Sequence, residues 1–98
     1  MRGSRPRYPK ERHVAAVRAA LAAIPSDSPP REGWRESARS VPNWRFAGAA
    51  EGVEWVVDVY CGGWCWARVG GSSERTRSLL ALAGFLVAHL AARGVEET

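Results

Sequence analysis

Val14, Val17, Leu21 and Ile24 recur every three or four positions, which is the spacing of one helical face. They predict a first helix that starts near Pro9, a residue suited to a first helical position, and that Pro25 ends. Further along, the period drops to two. In VEWVVDVYC, residues 53–61, Val53, Trp55, Val57, Val59 and Cys61 fall on one side, and Glu54, Val56, Asp58 and Tyr60 on the other. That alternation predicts a strand with one face in the core. NWRFAGA, residues 43–49, predicts the strand before it, with AAEG turning the chain between them. WCWARV, residues 64–69, predicts the strand after it, ended by Gly70–Gly71.

Helical spacing then returns. Ser72 or Ser73 suits an N-cap, and Gly94 the C-terminal cap position of a helix running to about Arg93. Leu79, Leu82, Leu86 and His89 make one stripe of this helix. Ala81, Gly84, Ala88 and Ala92 make a second stripe of small residues, and Leu80, Val87 and Leu90 a third. A helix apolar on most sides is buried on most sides, so a homodimer paired through this helix is expected, with Ala88 near its axis. The order is α-β-β-β-α: an α+β fold with a three-stranded antiparallel sheet packed against two helices. Residues 1–9 read as a flexible basic arm, 10–94 as a single domain and 95–98 as an acidic tail. Residues 25–43 read as a long connection, within which REGWRESARS suits a short helix because Glu32/Glu36 and Arg35/Arg39 are one turn apart.

The hairpin around CGGWC admits two registers. A two-residue Gly62–Gly63 turn sets Cys61 opposite Trp64 and puts the cysteines on opposite faces. A three-residue loop pairs Cys61 with Cys65, Tyr60 with Trp66, Asp58 with Arg68 and Val57 with Val69, so apolar pairs share one face and polar pairs the other. Side-chain sorting favours the second. Neither register makes a zinc knuckle, since no histidine is near and the cysteines are separated by three residues rather than two. The cysteines lie on strands, whereas a redox dithiol opens a helix. They read as structural thiols in a cytoplasmic protein, and no metal or cofactor is implied.

Composition changes this picture in one respect. The chain has 98 residues and a net charge of +4, and its basic residues are thirteen Arg and one Lys. Guanidinium is planar, weakly hydrated and forked, so it suits phosphates and carboxylates. The longest apolar run, Leu79 to Ala92, is too short to span a membrane and contains His89; Arg18 interrupts the first helix, so no secretory signal is read there. There is no phosphate loop, no nucleophile elbow and no pair of carboxylates in a catalytic context. His13 and His89 each sit beside an apolar stripe and read as structural. No enzyme is expected.

Binding remains. Trp55 shares the apolar strand face and is expected in the core. Trp34, Trp44 and Trp66 each have an arginine within two positions, and Trp64 falls near the hairpin tip. Tryptophan and arginine concentrate binding energy at interfaces. The expected site therefore comprises Arg5, Arg7 and Arg12, Trp34 with Arg35, Trp44 with Arg45, and Trp64, Trp66, Arg68, Arg75 and Arg77. The reading is a small non-enzymatic interaction module, a regulator or inhibitor of phage or mobile-element type, docking on an acidic protein surface. The alternative is a nucleic-acid-binding protein that grips the phosphate backbone with arginines of the arm and of the second helix start. The stretch from Val53 to Ala91, with a Gly-rich, Ser-containing basic turn leading into a helix, resembles the double-stranded RNA-binding domain. That resemblance implies duplex RNA as ligand and places Arg68, Ser73, Arg75 and Arg77 near the phosphates. Glu74–Arg75 stands where that family carries two lysines, and the interaction reading is placed first.

Overall fold

The computed structural model describes residues 8–37 and 40–96. Its element order is α1 (Glu11–Leu21), β1 (Arg31–Ser37), β2 (Ser40–Ala50), β3 (Val53–Val59), β4 (Cys65–Val69), β5 (Ser72–Thr76) and α2 (Leu79–Glu96). The five strands form one antiparallel meander in the order β1-β2-β3-β4-β5. Both helices lie on the same face of it, α2 across β3, β4 and β5, and α1 beside α2 and against β3. The fold is α+β, as the pattern predicts, but the sheet has five strands and not three.

The two additional strands come from segments that local pattern assigned elsewhere. REGWRES is β1, not a loop with a short helix. Its charges at i and i+4 fit a helix, but they also fit a strand, where Glu32, Trp34 and Glu36 share one side and Arg31, Gly33 and Arg35 the other. Pairing decides between them: Trp34 lies opposite Trp44 and Glu32 opposite Phe46. SSERT is β5, not the first turn of a helix. Gly70 and Gly71 bridge Val69 to Ser72 as a two-residue hairpin, with Gly70 at φ 59°. The N-cap of α2 is therefore Ser78, whose Oγ accepts from Ala81 N at 3.1 Å. Gly94 lies inside α2, which continues to Glu96.

In α1, Val14, Val17 and Leu21 are buried as the spacing predicts, and the helix ends four residues short of Pro25. Proline disfavours helical backbone in the residue before it, and Ile24 N instead closes a turn on Leu21 O at 3.0 Å. Ile24 still reaches the core. The turn from β2 to β3 is Glu51–Gly52, both at positive φ. Asp27 accepts from the backbone N–H groups of both, at 2.8 and 3.3 Å, and ties the α1–β1 connection to this turn.

Between sheet and helices lies one core. Phe46, Trp55, Val57, Val59, Cys65 and Val69 come from the sheet, and Leu82, Leu86 and Leu90 from α2. Gly48 is required there: a Cβ on it would stand 2.5 Å from Cζ2 of Trp55, whose indole lies across that position. The β3–β4 register is neither of the two expected. Val59 pairs with Cys65, Val57 with Ala67, Asp58 with Trp66 and Val56 with Arg68. The sorting of faces holds, but the pairing is slipped by two residues. Five residues, Tyr60 to Trp64, form the connection, with a 3-10 turn at Cys61–Gly63. Gly62 and Gly63 take positive φ there, which relieves Trp64 of the awkward backbone that a three-residue loop would impose. Cys61 is thus off the strand and is not opposite Cys65; both thiols are free.

Candidate binding face of the sheet

Among the described residues no element covers the sheet face opposite the helices, and its side chains fall in rows fixed by register. One row runs Arg31–Ala47–Val56–Arg68–Ser73 across all five strands. The next runs Gly33–Arg45–Asp58–Trp66–Arg75. Arg35 lies opposite Asn43 beyond it, and Ala49 opposite Glu54 before it. Two adjoining shallow concavities, of about 670 and 450 Å³, share Ala49, Glu54 and Val56 as floor; Arg68 borders the first and Arg31 the second.

The centre of the face is an ion pair. Arg45 donates through Nε and Nη2 to both carboxylate oxygens of Asp58, at 2.7 and 2.8 Å. The Asp58 side chain is only 3% exposed. The bond to Asp58 raises the Arg45 guanidinium above its usual range. Beside it, burial pushes the Tyr60 phenol up, and Asp58 adds to this while Arg45, Arg35 and Arg68 oppose it. The guanidinium of Arg68 lies 5.4 Å from the Trp66 ring centre, within cation–π range. At the hairpin end, Arg75 and Arg77 bracket the Trp64 ring at 5.8 and 5.5 Å. The face carries Arg31, Arg35, Arg45, Arg68 and Arg75 against Glu54 and Asp58, so its net charge is positive.

Of the residues expected from sequence, Arg35, Arg45, Trp66, Arg68 and Arg75 come together on this face; Trp64 and Arg77 meet at the hairpin end of the sheet, where Arg77 also borders His13 and Ala16 of α1. Arg75 sits on β5, not on the start of α2. Trp34 and Trp44 lie on the helix side, apart from these. Trp34 meets Trp44 edge-on at 4.9 Å and Tyr8 at 5.3 Å, and remains 52% exposed. Trp44 packs against the core and donates Nε1 to Glu32 at 3.0 Å. Arg18 forks onto the same carboxylate, and these bonds hold Glu32 below the usual carboxylate range. Arg12 is exposed on α1, on the opposite side of the sheet from the arginine rows. Arg5 and Arg7 lie outside the described residues.

Sequence reasoning missed Arg31, Tyr60 and the Ala47–Ala49–Val56 floor. Val56 and Tyr60 were marked as the second face of their strand, but Arg31 needed β1 to be seen as a strand. His89 donates through Nδ1 to Phe85 O at 2.9 Å, and its ring lies against the Phe85 ring with centroids 4.2 Å apart. His13 lies against Gly63, beneath the hairpin. Burial pushes the Cys65 thiol up to about 11. Among the described residues no group of three or more His, Cys, Asp or Glu is placed to hold a metal ion, and no helix is long and apolar enough to cross a membrane.

The fold and site together define a class: a five-stranded antiparallel meander, helices on one face and an arginine-rich aromatic face on the other. Compared with family models, curated proteins and solved structures, the chain matches none.

Proposed function

We propose that this chain is a small non-enzymatic interaction module of regulator or inhibitor type that docks an acidic protein surface on the bare face of its sheet. The observation that carries the reading is the convergence of five arginines with Trp66 and Tyr60 on a face that no helix of the described residues covers. Core positions of protein interfaces favour Trp, Tyr and Arg, and an uncompensated positive surface steers acidic partners. The setting is cytoplasmic, where Cys61 and Cys65 stay reduced. The module works as a homodimer through α2, whose outer positions Leu80, Ala81, Gly84, Val87, Ala88 and Ala91 are all exposed.

The test is affinity capture from host lysate, with and without nuclease, comparing the unmutated protein with Arg68→Glu/Trp66→Ala. The expected result is a protein partner that survives nuclease and is lost in the variant, while the melting temperature is unchanged. Loss of every partner after nuclease would overturn the reading.

One observation favours the nucleic-acid alternative. Arg68, Ser73 and Arg75, which the double-stranded RNA-binding resemblance brings to the phosphates, share this face. Retardation of duplex RNA that weakens steeply between two salt concentrations would select that reading. No retention at low salt would remove it.

A further inference from the structure

Resting on the interaction reading, the geometry points to the form of partner segment that the bare face accepts: an acidic amphipathic α-helix lying parallel to the strands, between Arg31 and Arg68. The row Arg31–Ala47–Val56–Arg68 puts an arginine on β1 and another on β4, with two apolar residues between them. Three strand spacings separate the arginines, about 14 Å. A helix with its side chains is about 10–12 Å across, so it fits between them. An extended peptide would cover only one strand's width and leave one arginine row unmet. At the Glu54 end the floor suits the narrow apolar stripe of a helix, since Ala47, Ala49 and Val56 are small and the surface dips there by two joined concavities; further along, the stripe crosses the neutralised Arg45–Asp58 pair.

The charges agree with this placement. Arg31 and Arg35 line one flank about 13 Å apart along their strand, the length of roughly nine helical residues. Arg68 lines the other flank, and Arg75 extends it. The partner helix therefore carries Glu or Asp on both sides of its apolar stripe. Among the described residues Glu54 is the one carboxylate on the floor without an ion pair, and it stands at the end of the trough by the β2–β3 turn. A helix N-terminus favours a nearby negative charge and a C-terminus a positive one. The helix thus lies with its N-terminus toward Glu54 and its C-terminus toward Arg35 and Tyr60.

The experiment uses the full chain and a stapled helical peptide of about eighteen residues, with an Ala/Leu stripe flanked on both sides by Glu. Its partners in the comparison are the same peptide with Lys for Glu, an unstructured Glu-rich peptide of equal charge, and a single-stranded oligonucleotide. The stapled acidic peptide is expected to bind, and the Lys peptide not. Arg31→Glu and Arg68→Glu should each weaken it by about tenfold or more, because each sets like charges against one another. Val56→Asp should abolish it. A protein carrying both reversals should bind the Lys peptide instead, a gain that unfolding cannot produce. A spin label at the peptide N-terminus should broaden the amides of Glu54 and Gly70, and one at the C-terminus those of Arg35 and Tyr60.

Equal binding of the unstructured acidic peptide, with the same arginine dependence, would overturn the helix and leave the acidic-partner reading standing. Binding of the oligonucleotide alone would overturn both. Self-association abolished by Val56→Asp, with no peptide bound, would assign the face to a second copy of this chain and overturn the helix as well.

Discussion

At the scale of single residues, Asp58 decides most about the sheet face opposite the helices. It alternates with the buried valines of β3 yet points to the side without helices, and it is nearly inaccessible there. A buried carboxylate stripped of its cation is costly, by about 3–5 kcal/mol. Arg45→Ala should therefore lower stability by about that amount in chemical denaturation, whereas Arg68→Ala, whose residue is exposed, should cost under about 1 kcal/mol. Equal losses would mean that the Asp58 carboxylate finds other partners. Cys65 gives the pH prediction. Burial raises its folded-state pKa from the usual 9.0 to about 11. A thiol whose folded pKa is raised contributes stability that is complete below the unfolded value and is lost as pH rises through the folded one. Stability should therefore fall between about pH 9 and pH 11, and the fall should shrink in Cys65→Ala. At pH 8, iodoacetamide should modify Cys61 and spare Cys65 until the protein unfolds, which mass spectrometry reads directly.

At the scale of elements, the starts of β5 and α2 are the instructive case. Ser72, Ser73 and Ser78 all have the chemistry of an N-cap. Only Ser78 performs it, because the Gly70–Gly71 hairpin commits the intervening residues to pairing with β4. Ser78→Ala should cost about 1 kcal/mol in melting experiments, with little change for Ser73→Ala. The reverse order would restore the helix start that the local pattern suggested. β1 teaches the same lesson from the other edge. Its charged residues at four-residue spacing satisfy a helix and a strand alike, and only the presence of Trp44 and Phe46 across from Trp34 and Glu32 separates the two.

At the scale of the whole molecule, α1 leaves the outer face of α2 uncovered. Leu80 is 85% exposed, and no charged residue stands between Ser78 and Ala92. Soluble monomers rarely expose a contiguous apolar patch above a few hundred Å². Sedimentation equilibrium at high micromolar concentration should therefore give about twice the chain mass of 10.7 kDa. Ala88→Arg should reduce it to a soluble monomer with the same circular dichroism. A clean 10.7 kDa species for the unmutated chain would end the dimer proposal.

The α+β class, the two long helices, the three central strands and the side on which each β3 residue falls were all legible in the sequence. These follow from periodicity, a property each segment carries alone. So was the closeness of Trp66 to Arg68, whose guanidinium lies 5.4 Å from the ring centre. Three things belonged to the tertiary structure. Edge strand β5 is polar on both sides and β1 has Trp34 as its one large apolar residue, so neither carries a periodic signal, and both exist only because β2 and β4 offer them hydrogen-bonding partners. The slip of two residues in the β3–β4 hairpin preserves every inward and outward assignment, so side-chain sorting cannot see it; the backbone of Gly62 and Gly63 chooses it. The division of the tryptophans was the third. Trp66 and Trp34 look alike in sequence, each with an arginine within two positions. They lie on opposite faces because pairing register, and not composition, sets the direction in which a strand residue points.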